Sequence, residues 1–457
     1  MKIVTTAQMR QLDARTVAAG TPSAVLMERA GRAVAQLAGE FLRQHNAREV
    51  LLLAGKGNNG GDAIVAARFL TAAGFAPTLI TFDQLTGELP AAPLIIDGLL
   101  GTGLTGEVRE PYRSAIEFIN RSRSFVIAID VPSGLGTGTC VRADVTVTFG
   151  LPKIDLLQPS AVDYVGQLEI ADIGLLEPTD TVSDVEWLTR ADFALPERKR
   201  SAHKGTFGHL LIIAGAEGYT GAPVLCAHAA ARSGVGLVTL AVPRNIYEIV
   251  AGNCPPEVMT VTLDRLPALE NFNAVAIGPG LGRAPETQKF VRDFVAKLRL
   301  PVAVDADALT AVALRPGLVL TPHPGEMSRL TGKTAQEVQA NRWEFARQFA
   351  RDHDVILALK GAGTVVTDNS GKLWINSTGN PGMAKGGMGD ALTGIIGALL
   401  AQRLPALEAA KAGVFLHGRA GDLATQRVSA PALLATDLIE SLGAAFATGQ
   451  VANFVRP

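Results

Sequence analysis

The sequence predicts an α/β protein of two domains, each a largely parallel sheet between layers of helices, and three observations predict it. At 457 residues, the chain is longer than one core ordinarily serves, at roughly 100 to 200 residues per domain. Short runs nearly continuous in Val, Ile and Leu alternate with helical stretches, and strands this apolar belong in a sheet covered on both faces. Between two such series, residues 181–204 lose periodicity and gather charge and proline, the mark of a linker between domains 1–180 and 205–457.

In the first series apolar residues recur every three and four positions from Met9 to Gln44, a helical span broken at Gly20-Thr21-Pro22. Strands are expected at Glu49–Ala54, Pro77–Phe82, Leu94–Asp97, Phe125–Asp130 and Asp144–Phe149. The second series places them at His209–Ala214, Leu237–Val242, Ala274–Ile277, Val302–Asp305, Leu318–Thr321, Val355–Leu359 and Thr364–Thr367. No fixed-period repeat or low-complexity tract interrupts either series.

Lys+Arg 42 against Asp+Glu 43, a net charge of -1, leaves no field to draw in nucleic acid or an anionic bilayer, so the ligands are expected to be small. Cys140, Cys226 and Cys254 are few and far apart, without metal spacing, which fits a reducing compartment. Arg10, Asp13 and Arg15 stand where a secretory signal would place its apolar core, and no apolar run approaches the roughly 20 residues of a membrane span. A cytoplasmic protein is expected.

The strand EVLLLAG enters Gly55-Lys56-Gly57-Asn58-Asn59-Gly60-Gly61-Asp62 and then the helical AIVAARFLTAAG. Glycines let backbone approach a phosphate, and a helix start offers unpaired N–H groups and the positive end of its dipole. Gly55, Gly57 and Gly60 satisfy GxGxxG with Asp83 after the next strand, yet the pattern alone is equally a tight strand-to-helix turn. An ordinary dinucleotide loop has little need of the two amides and the carboxylate in this one. A second strand ends at Asp97 and opens the glycine-rich Gly101–Glu107, and a third ends at Asp130 before Pro132-Ser133-Gly134. For Asp97 or Asp130 alone a turn or cap suffices. Three such loops at the carboxyl ends of parallel strands indicate a ligand crevice.

In that order GKGNNGGD, DGLLGTGLTGE and DVPSG resemble the NAD(P)H-hydrate epimerase family over roughly residues 1–180, which implies a Rossmann-like three-layer α/β/α domain. The resemblance implies that Asn58, Asn59, Gly60, Gly61 and Asp62, with Gly101, Thr102, Gly103, Leu104, Thr105, Gly106 and Glu107, hold NADHX or NADPHX. It further implies that Asn59, Asp97 and Ser133 ligate K+ and that Asp130 contacts the substrate. Oxygen ligands suit so hard a cation. The implied reaction interconverts the R and S hydrates at C6 of the nicotinamide. The ring nitrogen loosens the C6 oxygen, so the protein supplies an electrostatic frame and a proton shuttle, for which Asp130 is the candidate. Ala63 stands where members often carry glycine, a change expected to tighten the pocket slightly.

Near the C-terminus Asn376-Ser377-Thr378-Gly379-Asn380-Pro381-Gly382-Met383-Ala384-Lys385-Gly386-Gly387-Met388-Gly389-Asp390 leads into a helical ALTGIIGALLAQ. Its glycines expose N–H groups to charge on a transferring phosphoryl group, while Asp390 is placed to accept a hydroxyl proton. The plain alternative is a helix N-cap at Asp390. Lys360-Gly361-Ala362-Gly363-Thr364 reads as a nucleotide-binding turn or, equally, a hairpin turn. Gly332-Lys333-Thr334 fails as a Walker A ending because Met327 occupies the required glycine position. Asp305 and Asp307 stay open between metal support and helix capping.

GTFGHLLIIAG, TGAPVLCA, GPGLG, DADAL, TPHPGEMSRLTG, LKGAGTVV and NPGMAKGGMGDALTGIIGALLAQ together resemble the nucleotide-dependent NAD(P)H-hydrate dehydratase family over roughly residues 200–457. That resemblance implies a ribokinase-like fold, in which Ala222, Gly280, His323 and Asp390 face the hydrate and Lys360, Gly361, Ala362, Gly363, Thr364 and Gly389 contact the nucleotide. It implies ADP as co-substrate with Mg2+, and a homo-oligomer assembled through this domain. Lys385 and Met388 stand where threonines are frequent, and Lys385 is expected to add positive charge near the phosphate.

The two resemblances combine into a metabolite-repair enzyme in which the epimerase feeds a dehydratase that accepts one epimer. The alternatives are a small-molecule kinase with a dinucleotide-binding N-terminal domain, an NAD-dependent dehydrogenase and a non-catalytic nucleotide sensor. Stable phosphorylated product would identify the kinase. An unchanged Asp390→Asn variant would identify the sensor.

Overall fold

Two compact units divide the chain, one comprising residues 2–183 with 452–457 and the other residue 1 with 184–451. The computed structural model describes residues 1–85, 88–104, 106–447 and 454–455.

In the first unit, helices α1 (Thr6–Ala18) and α2 (Ser23–Gln44) flank the Gly20-Thr21-Pro22 break. Strands β1 (Glu49–Ala54), β2 (Ala76–Thr81), β3 (Leu94–Gly98), β4 (Phe125–Ile129), β5 (Val145–Phe149) and β6 (Gln167–Ala171) form a parallel sheet in the order β6-β5-β4-β3-β1-β2. Alternate residues explain the three layers. Leu52, Ile96, Ile127 and Val147 pack with α2 and helix α3 (Asn58–Ala72), whereas Leu51, Leu53, Ile95 and Val126 pack with Ile116 and Ile119 of α4 (Tyr112–Arg121). Because β1 sits between β2 and β3, connections leave it in both directions and open a crevice at the carboxyl ends of β1 and β3.

In the second unit ten strands run β7-β16-β15-β14-β13-β12-β11-β8-β9-β10. They are β7 (Val182–Leu188), β8 (His209–Ile213), β9 (Leu237–Val242), β10 (Val258–Thr262), β11 (Ala274–Ile277), β12 (Val302–Val304), β13 (Leu318–Leu320), β14 (Ile356–Leu359), β15 (Val365–Thr367) and β16 (Leu373–Asn376). Pairing is parallel from β14 through β10, while β14-β15 and β15-β16 are antiparallel. Helix α5 (Gly221–Arg232) crosses α7 (Met388–Ala401) closely enough that a Cβ at Gly394 would lie 2.1 Å from the Cys226 carbonyl oxygen. Only glycine permits that approach. Helices α6 (Pro324–Thr331) and α8 (Ala406–Thr425) complete the frame used below.

Strands β6, β7, β10 and β16 add to those expected from the sequence. Strand β7 lies inside the stretch 181–204 that reads as linker, because its buried Val185 stands between the charged Asp184 and Glu186. Glu186 pairs with Lys372, just before β16, and Asp184 with Arg347, so this charge is internal to the unit rather than a sign of open chain.

Two candidate active sites

The first site lies at the carboxyl ends of β1, β3 and β4. Gly55 ends β1 so close to the next loop that a Cβ would lie 1.8 Å from the Leu99 carbonyl oxygen, and one at Gly60 would lie 1.9 Å from that of Gly55. These glycines bring loop against loop. Helix α3 starts at Asn58, which is exposed, while Asn59 is buried and its Nδ2 donates to the Ile129 carbonyl at 2.6 Å. Asp97 is fully buried and accepts from Ser133 Oγ at 2.6 Å, Ser133 N at 2.8 Å and Leu99 N at 3.2 Å. Burial nevertheless pushes its carboxyl up to about 6, against the lowering by Ser133.

Asp130 follows β4 with φ 64, a left-handed backbone that aspartate tolerates better than most residues. Its Oδ1 lies 2.5 Å from Nζ of Lys153, a side chain buried beyond β5 that also donates to Thr148 Oγ1 at 2.9 Å and the Phe149 carbonyl at 3.1 Å. Asp62 stands nearby. Burial first, then the charges of Asp130 and Asp13, push it up to about 8 against the pull of Lys153. Burial and Asp130 likewise raise Asp13 of α1, with Lys153 opposing. A carboxylate tied to an ammonium thus adjoins a carboxyl that keeps its proton at neutral pH.

Asn59, Asp97 and Ser133 come together around Leu100, whose carbonyl accepts from Asn59 and Ser133 and whose N–H donates to Ser133 Oγ at 2.8 Å. A Cβ at Gly101 would lie 2.4 Å from Asn59 Oδ1, so the missing side chain leaves that oxygen a cradle. Arg10 of α1 donates to the Thr102 carbonyl at 2.6 Å and bounds the glycine loop near Gly103. Leu104 N donates to the Gly101 carbonyl at 3.3 Å, closing a turn, and Gly106 takes φ 79. Thr105 lies outside the described residues. Contrary to the expectation that it would tighten the pocket, Ala63 does not line this crevice. It is buried in the core, and a Cβ at Gly98 would meet its Cβ at 2.8 Å.

The second site gathers around the start of α7. Gly387, with φ 90, is the N-cap, so Asp390 is the third residue of the helix and not its cap. Burial and the charge of Asp305 push Asp390 up to about 7 against the pull of Lys360. Lys360 Nζ is held at 2.6 Å by Asp305 Oδ1 and lies 3.6 Å from Glu326 Oε2, and a Cβ at Gly389 would lie 3.2 Å from it. Thr393 Oγ1 donates to Asp305 Oδ2 at 2.8 Å. Asp305 is therefore the counter-ion of Lys360 rather than a helix cap. Asp307 pairs with Arg283 Nε at 2.8 Å and accepts from Gly282 N at 3.0 Å.

His323 caps α6, its Nδ1 accepting from Gly325 N at 3.0 Å and Glu326 N at 3.3 Å, while Glu326 accepts from His323 N at 2.7 Å. Burial lowers its pKa, so the neutral ring carries its proton on Nε2. Ala222 and Gly280 adjoin, since a Cβ at Gly280 would meet that of Ala222 at 3.0 Å. The Lys360–Thr364 segment is the hairpin turn between β14 and β15, closed by Thr364 Oγ1 donating to the Gly361 carbonyl at 3.0 Å. Lys385 is turned away by its bond to the Pro431 carbonyl at 2.5 Å, and Met388 is buried in the core.

Sequence reasoning missed Lys153, Asp13 and His417. A lone lysine just past an uncharged, β-branched strand is the one signal that could have found Lys153. His417 of α8 donates Nε2–H to the Met388 carbonyl at 2.9 Å, and burial lowers it to about 4, so it braces α7 as a neutral ring.

Comparison with known proteins bears on both sites. Residues 23–88 and 77–154 match the family described as YjeF-related protein N-terminus, and residues 210–443 match NAD(P)H-hydrate dehydratase. The bifunctional NAD(P)H-hydrate repair enzyme Nnr of Moorella thermoacetica is 39% identical over 97% of this chain and 96% of its own. The crystal structure of ADP/ATP-dependent NAD(P)H-hydrate dehydratase from Bacillus subtilis, co-crystallised with ATP/Mg2+, is 37% identical with a TM-score of 0.51, covering 55% of this chain and 93% of that one. A ribokinase-like superfamily protein from Enterococcus faecalis is 26% identical with a TM-score of 0.52, covering 57% and 95%. The second unit has the ribokinase-like fold and the first is Rossmann-like.

Proposed function

The chain belongs to the family of bifunctional NAD(P)H-hydrate repair enzymes, and on that premise we propose how its residues divide the work. It is an enzyme of two activities, an epimerase and an ADP/ATP-dependent dehydratase acting on hydrated nicotinamide dinucleotides. We assign the first to residues 1–180 and the second to residues 205–457, with 181–204 between them.

In the epimerase, Asn58 to Asp62 and Gly101 to Glu107 embrace NADHX or NADPHX beside Asp130. Asp62, which keeps its proton at neutral pH, donates it to the C6 hydroxyl. Water departs as the N1 lone pair forms an iminium at C6. Asp130, held against Lys153, takes the proton from water adding to the opposite face. Carboxyls driven to different protonation states by their surroundings suit such an exchange. Asn59, Asp97 and Ser133 offer only oxygen atoms, and the cradle at Gly101 supports the fit of a potassium ion there. The ion would supply fixed positive charge beside the dinucleotide.

In the dehydratase, Ala222, Gly280 and His323 position the S hydrate, and Lys360 to Thr364 with Gly389 hold the adenine nucleotide, which we take to be ADP. Asp390 accepts the C6 hydroxyl proton, and the freed oxygen attacks the terminal phosphate, releasing AMP. Phosphate then leaves C6 with the push of N1, a proton leaves C5, and the dihydronicotinamide returns. The observation that carries this reading is that the nearby lysine is held by Asp305, so Asp390 meets the substrate without an ion pair of its own among the described residues. Magnesium usually binds one or two carboxylates together with substrate phosphates. Among the described residues no carboxylate group is gathered to hold the ion by itself, since Asp305 is held by Lys360 and Asp307 by Arg283; the ion would come with the nucleotide phosphates and neutralise their charge.

No helix among the described residues is long and apolar enough to cross a membrane. Three free cysteines support a cytoplasmic setting, and assembly through the second domain completes the reading. The test is the return of dihydronicotinamide absorbance from mixed R and S hydrate with ADP or ATP, Mg2+ and K+, spontaneous epimerisation subtracted. Full nucleotide-dependent recovery, with AMP and phosphate from ADP, is expected. Recovery of the S form alone would remove the epimerase assignment, and no recovery would remove both.

A further inference from the structure

Arg342 is 3% exposed and forms no salt bridge among the described residues. Its Nη1 donates to the Ala362 carbonyl at 3.0 Å, and its Nη2 donates to those of Leu359 at 2.9 Å and Lys360 at 3.2 Å. Three carbonyls of one hairpin turn are thus drawn onto a single buried cation. The approach needs glycine, because a Cβ at Gly361, whose φ is 148, would lie 2.6 Å from Nη1. A buried guanidinium answered only by peptide oxygens is unfavourable where an apolar side chain would fill the space. Packing alone does not account for it.

Peptide geometry supplies a reason. The carbonyl of Ala362 and the N–H of Gly363 share one plane and point in opposite directions, so drawing the oxygen in turns the N–H out. The Lys360 N–H goes to the Pro322 carbonyl at 2.8 Å and the Gly361 N–H to Thr364 Oγ1 at 3.3 Å, which leaves the Gly363 N–H, backed by positive charge, suited to an anion. We propose that Arg342 is a positioning residue of the dehydratase, which shapes the Lys360–Thr364 turn into a cradle for the anionic part of the adenine nucleotide. The proposal rests on the reading that this turn holds the nucleotide.

The test measures ADP binding by calorimetry on the full chain, with Michaelis constants for ADP and hydrate, in Arg342→Lys, Arg342→Met and Ala362→Asp. Ala362 is exposed, so its aspartate places repelling charge on the turn without disturbing a core. Arg342→Lys keeps the charge but loses the fork, and about tenfold weaker ADP binding is expected, with a larger loss for Arg342→Met. In the two Arg342 variants the hydrate Michaelis constant, kcat at saturating ADP and the epimerase rate stay unchanged. If Ala362→Asp weakens ADP while both Arg342 variants stay within about twofold of the parent, the role of Arg342 falls and the nucleotide reading stands. If none of the three alters ADP binding, the turn is not the nucleotide site and both fall. Loss of the folded second domain in both Arg342 variants, or parallel loss of ADP and hydrate binding, would make the residue structural and overturn the proposal.

Discussion

In the first domain the ammonium of Lys153 lies 2.5 Å from Asp130, the carboxylate that follows its strand, whereas in the second Lys360 lies 2.6 Å from Asp305 and leaves Asp390 to itself. Both arrangements use a lysine among several aspartates, yet the proton ends up in different places. Asp130 is paired with Lys153 and its neighbour Asp62 keeps the proton, pushed up to about 8. Asp390, pushed up to about 7, is poised between acid and base. Which carboxylate the lysine takes therefore matters more than how many are present.

The largest effect is expected from Asp390→Asn. Loss of the base should lower dehydratase kcat by roughly 10²- to 10⁴-fold while epimer exchange continues. In the parent, activity should fall as pH drops through about 7, the value to which Asp390 is raised, because the protonated carboxyl cannot accept the hydroxyl proton. A limb appearing only far below that value, or an epimerase that fails along with the dehydratase, would break the contrast between the sites.

Lys153→Met ranks second. Removing one partner of a pair whose side chains are 2% and 14% exposed leaves Asp130 uncompensated, at about 3 to 5 kcal/mol of stability. The epimerase should slow by about 10²-fold. Thermal melts beside both activity assays check it, and a full-rate epimerase with an unshifted transition would separate Lys153 from the site.

The glycine loops were legible in the sequence because backbone contact excludes a side chain, as at Gly55 and Gly60. Asp97, Asp130 and Asp390 stood out because each ends, follows or opens a segment of clear pattern beside such a loop. Lys153, Asp13, His417 and Arg342 did not. Each reaches its site across the fold, and apart from the strand that precedes Lys153 nothing near them in sequence distinguishes them from helical or loop residues. The same limit applied to β7, where charge paired within the folded unit resembles the charge of open chain. Met388 stands in the glycine-loop motif, yet its side chain serves the core.

Asp62→Asn sharpens the comparison through stability. The folded carboxyl titrates at about 8 and its ordinary value is 3.8, so between them the unfolded chain binds fewer protons. Stability must fall as pH rises through that window and level off above it. Asparagine removes the decline, so the variant should match the parent near the lower value and melt higher at pH 8, in exchange for an epimerase slower by about 10- to 100-fold. Melting curves at the two ends check the sign, and a parent at least as stable at the upper end would refute protonated Asp62.

The smallest effect is expected at Lys385, where sequence and structure disagree. A lysine in the glycine loop reads as added charge for the nucleotide phosphate, but its Nζ donates to the Pro431 carbonyl at 2.5 Å and the residue is exposed. An exposed side chain bound elsewhere adds little field at a phosphate, because solvent screens it. Lys385→Ala should leave the Michaelis constant for ADP within about twofold and stability within about 0.5 kcal/mol. A tenfold rise in that constant, about 1.4 kcal/mol, would mean that the lysine leaves Pro431 when nucleotide binds. Lys360, unlike Lys385, keeps its partner in the site, and the difference between two lysines of one domain would then lie in the strength of their anchors: a buried carboxylate for one and a single exposed carbonyl for the other.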